Sequence, residues 1–220
     1  TDMAVTFELV DATQIIYTNP ATDPYSDPST GTTGVWSTEL QNTLSSELGA
    51  TLSEANAAYD IGHLFGGSGG GGNAGCIGCV CTDDTASLTD KNKGSAYTSP
   101  ADGIPEGDTF DINFVIHEIG HQMGANHTFA YLTEGTGVNS EPGSGTTIMA
   151  YAGITGNDDV QPDSDDYFHY HSIKQILDNL TSKTCWQANS TIGGITNNPP
   201  VANAGNNYII PAGTPYILKG

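Results

Sequence analysis

The chain has 220 residues and a formal net charge of -20, from 25 Asp+Glu against five cations that are all lysine. Phosphate recognition needs a basic face, so this balance excludes a nucleic-acid partner. No apolar run approaches the roughly 18 residues of a membrane span, and the length suits one ordinary domain plus a remnant.

Val5, Phe7 and Leu9 alternate with Thr6 and Glu8, and residues 14–17 continue after a short polar break, which predicts two strands or a bent one. Residues 18–34 read as loop, with Asn19-Pro20, Asp23-Pro24 and Asp27-Pro28 as turn formers and Gly31 and Gly34 beyond them. Trp36, Leu40, Leu44 and Leu48 then recur every four residues up to Gly49, the pattern of one buried helical stripe with a glycine stop. Tyr59 to Phe65 reads as a strand, and it runs into Gly66-Gly67-Ser68-Gly69-Gly70-Gly71-Gly72, which cannot hold a helix and predicts a mobile surface loop. His63, a lone histidine in a strand, reads first as a structural residue satisfied by its neighbours.

Cys76, Cys79, Cys81 and Cys185 permit three pairings. The Cys-x-x-Cys-x-Cys spacing also admits a zinc reading, but a complete nearby ligand set is lacking, and an exported protein can oxidise these thiols. Disulfides are the preferred reading, joining Cys81 to Cys185 and Cys76 to Cys79.

A helix is predicted from about Asp108 or Asp111, either of which can cap it, with Ile112, Ile116, Ile119 and Met123 facing the core. It carries His117-Glu118-Ile119-Gly120-His121, followed by Gly124 and His127. Histidines four apart lie one turn above each other on one helix face, so His117 and His121 can reach a single ion. Gly124 can stop the helix at positive φ and turn the chain so that His127 completes the set. Three neutral nitrogens leave one position open, whereas structural zinc is usually closed by four protein ligands. Glu118, beside but not among the ligands, can take a proton from water activated at that position.

Downstream, Asp158, Asp159, Asp163, Asp165 and Asp166 read as a solvated acidic loop, with calcium the alternative way to neutralise them. His169 and His171 share the solvated reading. Ile173, Ile176, Leu177 and Leu180 mark a final helix with Lys174 on its flank and Lys183 near its negative end. After about residue 191, Gly193-Gly194, Asn197-Asn198 and Pro199-Pro200 have linker composition.

The string from His117 to His127 resembles the long zinc signature of the metzincin metallopeptidases, His-Glu-x-x-His-x-x-Gly-x-x-His, with every defining position filled. Thr146-Thr147-Ile148-Met149-Ala150-Tyr151 resembles their methionine turn, with Met149 beneath the metal. Tyr151 is similar to the tyrosine of astacins, serralysins and pappalysins, and His127-Thr128-Phe129 is also similar to pappalysins. The segments Tyr59 to Phe65, Asp111 to Phe129 and Gly143 to Gly153 together look most like secreted bacterial reprolysin-like metallopeptidases, over most of residues 1 to about 190. Pro199-Pro200-Val201-Ala202-Asn203-Ala204-Gly205 resembles the start of a β-sandwich repeat of the polycystic-kidney-disease type.

The resemblance implies an α+β fold: a twisted, mostly parallel sheet, the zinc helix above a cleft, and an irregular lower part ending in a helix. Residues 1–191 would form this catalytic domain, with an opening strand and helix missing before the segment that Ala4 to Val10 resembles. Residues 192–220 would be linker and a truncated β-sandwich. It implies Zn2+ on His117, His121 and His127, with Glu118 as general base and Tyr151 as a support for the oxyanion. Extended polypeptide would pair with a strand over Ile61, Gly62, His63, Leu64, Phe65, Gly66 and Gly67. The expected activity is that of a secreted zinc endopeptidase, with any signal peptide removed and any propeptide upstream of Thr1. Absence of arginine, the usual clamp for a terminal carboxylate, also favours cleavage within chains. The competing reading is a noncatalytic zinc-containing binding or adhesion module.

Overall fold

A computed structural model describes residue 3, residues 5–186, the strand pairs at 191–192 and 195–196, and residues 206–207 and 209–213. The chain divides into two compact units, Glu8–Gln187 and a second made of Thr1–Phe7 with Ala188–Gly220. In the second unit, β4 (Thr191–Ile192) and β5 (Ile195–Thr196) form an antiparallel pair. The segment Pro199 to Gly205, on which the β-sandwich resemblance rests, lies outside the described residues.

The larger unit is mixed α+β. Its first α-helical turn, α1 (Pro28–Thr30), runs through a wide turn at Gly31–Val35 into α2 (Trp36–Glu47). The predicted loop over 18–34 therefore ends early: Asp27 accepts the amide of Ser29 as N-cap and Pro28 opens the helix. Gly34, at φ 101°, absorbs the kink between the two helical pieces. Trp36, Leu40 and Leu44 are buried as the fourfold spacing predicts, and Leu40 and Leu44 close a core cluster with Tyr59. α3 (Leu52–Ala57) was not anticipated, although Thr51 and Glu54 form a reciprocal capping box that the sequence carries.

A three-stranded sheet lies beside α2, with β1 (His63–Phe65), β2 (Gly72–Asn73) and β3 (Ala96–Thr98) in the order β1-β3-β2. β1 pairs parallel to β3, and β2 returns antiparallel on the other side. β3 is buried at all three positions, so it shows no alternation from which to read a strand. Gln41 on α2 reaches this layer: its carbonyl accepts the amides of Asn92 and Gly94, and its amide donates to the Tyr59 hydroxyl.

Two expectations fail in this part of the molecule. Residues 5–10 form no strand, and Phe7, Leu9 and Val10 are exposed, because alternation alone does not supply a neighbouring edge for the backbone groups. Residues 13–15 form a 3-10 turn in which Ile15 packs against the Leu40 cluster. The strand expected over Tyr59 to Phe65 is confined to its last three residues.

α4 (Asp108–Phe110) leads through a wide turn at Asp111–Val115 into α5 (Ile116–Met123). Neither aspartate caps this helix, since the N-cap position falls on Gly107. Of the expected core stripe only Met123 is buried, while Ile112, Ile116 and Ile119 are partly covered and Val115, His117, Glu118, Gly120, His121 and Gln122 are buried instead. The C-terminus stops at Gly124, φ 121°. Its last carbonyls are satisfied by the chain around the cysteines: Gly78 N–H donates to His121 O at 2.8 Å and Val80 N–H to Gln122 O at 3.1 Å. α6 (Tyr170–Thr181) seals the same end through Asn179, whose amide donates to Met123 O at 2.8 Å. His169 is the N-cap of α6, accepting from the His171 amide. Lys174 pairs with Asp178 one turn on, and Lys183 donates to the Thr82 hydroxyl. Disulfides join Cys76 to Cys79 and Cys81 to Cys185. None of the described helices is long and apolar enough to cross a membrane.

Candidate metal centre

The side chains of His117 and His121 leave the buried face of α5, and the turn at Gly124 returns His127 to meet them. One ligand atom from each imidazole lies within 4.8 Å of the others, and His121 Nε2 and His127 Nε2 are 3.1 Å apart. The opposite ring nitrogens are all engaged. His117 Nδ1 lies 2.6 Å from Ile148 O, His121 Nδ1 2.7 Å from Ala125 O, and His127 Nδ1 2.7 Å from the Glu134 carboxylate. These partners only accept, so each Nδ1 carries a proton, and in the neutral ring the lone pair then lies on Nε2.

Three lone pairs facing one another with no donor between them repel unless a cation sits among them. Donors bound to one tetrahedral zinc at about 2.0–2.1 Å would stand about 3.3 Å from each other, close to the 3.1 Å between His121 and His127. The residues therefore fit a zinc ion. Burial, and then the charges of neighbouring imidazoles, keep His117 well below its ordinary pKa and lower His121 to about 4, so both are neutral and ready to bind a metal at neutral pH.

Glu118 is buried on the same helix, facing a cleft lined by residues 72–77, His121, His127 and Tyr151. Burial raises its pKa to about 8, opposed by a hydrogen bond from the Ala74 amide. Gly72 matters here: a Cβ at that position would lie 2.6 Å from Glu118 Cγ and Oε1. Met149 is fully buried beneath α5, where any side chain on Gly120 would collide with its sulfur. The Tyr151 ring lies 4.6 Å from that of His127 and 5.7 Å from that of His117. Burial, aided by Glu134, Glu118 and Tyr131, raises the Tyr151 pKa to about 12, so the hydroxyl keeps its proton.

The segment from Ile61 to Gly67 is not among the residues lining this cleft. β1 sits at the far edge of the sheet, separated from β2 by β3. His63 turns inward, with Nδ1 2.9 Å from Gln122 Oε1 and Nε2 2.8 Å from Thr98 Oγ1, while Gly62 O accepts from Gln122. The glycine loop reverses the chain and delivers β2 to the cleft instead, a placement no local pattern encodes. Calcium gains no support from the acidic loop: Asp159 accepts from Thr155 and Gly156, Asp163 from Asn113, and Asp165 from Tyr167. Among the described residues, only the three histidines converge as a potential metal set.

Sequence reasoning missed Glu134 and Glu141. Glu141 is buried and accepts the Thr146 and Thr147 amides at 3.0 and 3.1 Å and the Thr147 hydroxyl at 2.5 Å, while its own amide donates to Thr128 O. It thus ties the chain after His127 to the turn that carries Met149. Burial pushes its pKa up, but hydrogen bonding from Thr128, Thr146 and Thr147 outweighs that and holds it below the usual value.

A mixed α+β unit with a three-histidine site and a neighbouring buried carboxylate defines the class of zinc metallopeptidase folds. The model of metallo-peptidase family M12B, reprolysin-like, matches residues 1–180, and the chain belongs to that family. No curated protein and no solved structure matches the chain.

Proposed function

We propose that this chain is the catalytic domain of a secreted, metzincin-type zinc endopeptidase. The observation that carries the reading is the convergence of three imidazoles beside a buried carboxylate that faces an open cleft. Zinc on His117, His121 and His127 would polarise the scissile carbonyl and lower the pKa of water to about 7. Glu118 takes a proton from the attacking water as its oxygen bonds to the carbonyl carbon, and then passes that proton to the departing amine. Tyr151, protonated and beside His127, donates a hydrogen bond to the developing oxyanion. β2, at the end of the sheet and on the cleft wall, offers its outer edge to an extended peptide. Two disulfides support an oxidising, extracellular setting. Residues 192–220 are read as linker and the start of an accessory β-sandwich on the strength of their sequence.

A noncatalytic metal-binding module has no use for a base beside an open coordination position. Cleavage of an unfolded protein by the zinc-loaded chain separates the two readings. Glu118→Ala is expected to lower turnover by about 10²–10⁴-fold, and chelation to abolish it. Equal turnover in parent, variant and chelated protein would overturn the proposal.

A further inference from the structure

The three imidazoles are not held alike. His117 and His121 are fixed by backbone carbonyls, whereas His127 is fixed by a side chain, with the Glu134 carboxylate 2.7 Å from Nδ1. Glu134 sits seven residues further on, in a loop that folds back over its own ligand. Val138 N–H donates to His127 O at 2.8 Å, and Asn139, at φ 51°, bridges Glu134 O and Gly137 O through its side-chain amide. Asn139 Oδ1 in turn accepts the Glu134 amide. The loop thus aims one carboxylate at one ring nitrogen, and that carboxylate remains partly exposed.

We infer that Glu134 is a positioning residue for metal binding: it fixes the tautomer and orientation of His127 and strengthens its Nε2 as a donor. This rests on the zinc reading of the three histidines. A carboxylate on the far nitrogen of a metal-bound imidazole raises its basicity, and removing such a partner typically weakens metal affinity by about 10–100-fold. It also links the loop from Ala130 to Asn139 to the ion, because the same hydrogen bond that holds the ring holds the loop.

Competition between the intact chain and a chromogenic chelator for Zn2+ tests this, with the thermal stability of the metal-free protein measured in parallel. Glu134→Ala should weaken zinc binding by about 10–100-fold while metal-free stability stays near that of the parent. Glu134→Gln, which keeps an acceptor but loses the charge, should recover part of the loss. Zinc should also protect residues 130–139 from amide exchange in the parent and do so less in Glu134→Ala. His127→Ala separates the two layers of the argument. If it loses zinc affinity while Glu134→Ala stays within about threefold of the parent, the positioning role is wrong and the zinc site stands. If His127→Ala binds zinc as the parent does, the zinc reading itself fails.

Discussion

Burial and a hydrogen bond from the Ala74 amide pull the Glu118 carboxyl in opposite directions, and burial prevails, raising its pKa to about 8. A base must be ionised, so hydrolysis should rise with pH along an acidic limb. A dication nearby favours the carboxylate and draws that limb below pH 8. A rate–pH profile of the zinc-loaded chain checks this, and a rate flat from about pH 5 to 9 would count against Glu118 as base. Tyr151→Phe removes one candidate oxyanion donor and should lower kcat by on the order of 10²-fold with little change in KM. At this scale the sequence was informative where spacing alone sets the chemistry. Two histidines one helical turn apart, the intervening Glu118 and the stop at Gly124 needed no tertiary knowledge. Glu134 had no such signature, because a loop of irregular backbone brings it back to His127.

Among the elements, β2 rather than β1 lines the cleft. The segment Tyr59 to Phe65 contains the strand at its last three residues, but which sheet edge meets the cleft depends on how the glycine loop crosses β3. Gly72 is the position where that crossing touches chemistry, so Gly72→Ala should displace Glu118 and lower turnover at least about tenfold without loss of helical circular dichroism. In β1, His63 turns inward to Gln122 and Thr98. Burial lowers the His63 pKa to about 4, while an unfolded chain protonates it near 6.5. The neutral ring is favoured by the fold, so its contribution is complete above about pH 6.5 and is lost as the pH falls towards 4, up to about 3 kcal/mol. Urea unfolding of metal-free parent and His63→Gln at both ends of that window should show the larger acid loss in the parent. The apolar run at Val5, Phe7 and Leu9 was misread for the converse reason: its pattern suits a strand, but no edge receives it among the described residues.

For the whole molecule, the link from Cys81 to Cys185 spans a sequence separation of 104 and joins the chain that caps α5 to the segment after α6. Loop closure of that length limits the entropic gain to about 4.7 kcal/mol, with 2–4 kcal/mol typical. The double substitution Cys81→Ala and Cys185→Ala should therefore lower the melting temperature, and an unchanged value would show that the bridge carries no stability. The charge of -20 is legible from composition alone and limits partners rather than fold. The catalytic reading requires one ion on three rings. X-ray absorption at the zinc edge of the loaded chain measures that directly. The account predicts three imidazole nitrogens at about 2.0–2.1 Å with a fourth position taken by solvent oxygen, whereas a sulfur shell near 2.3 Å or fewer than three imidazoles would contradict it.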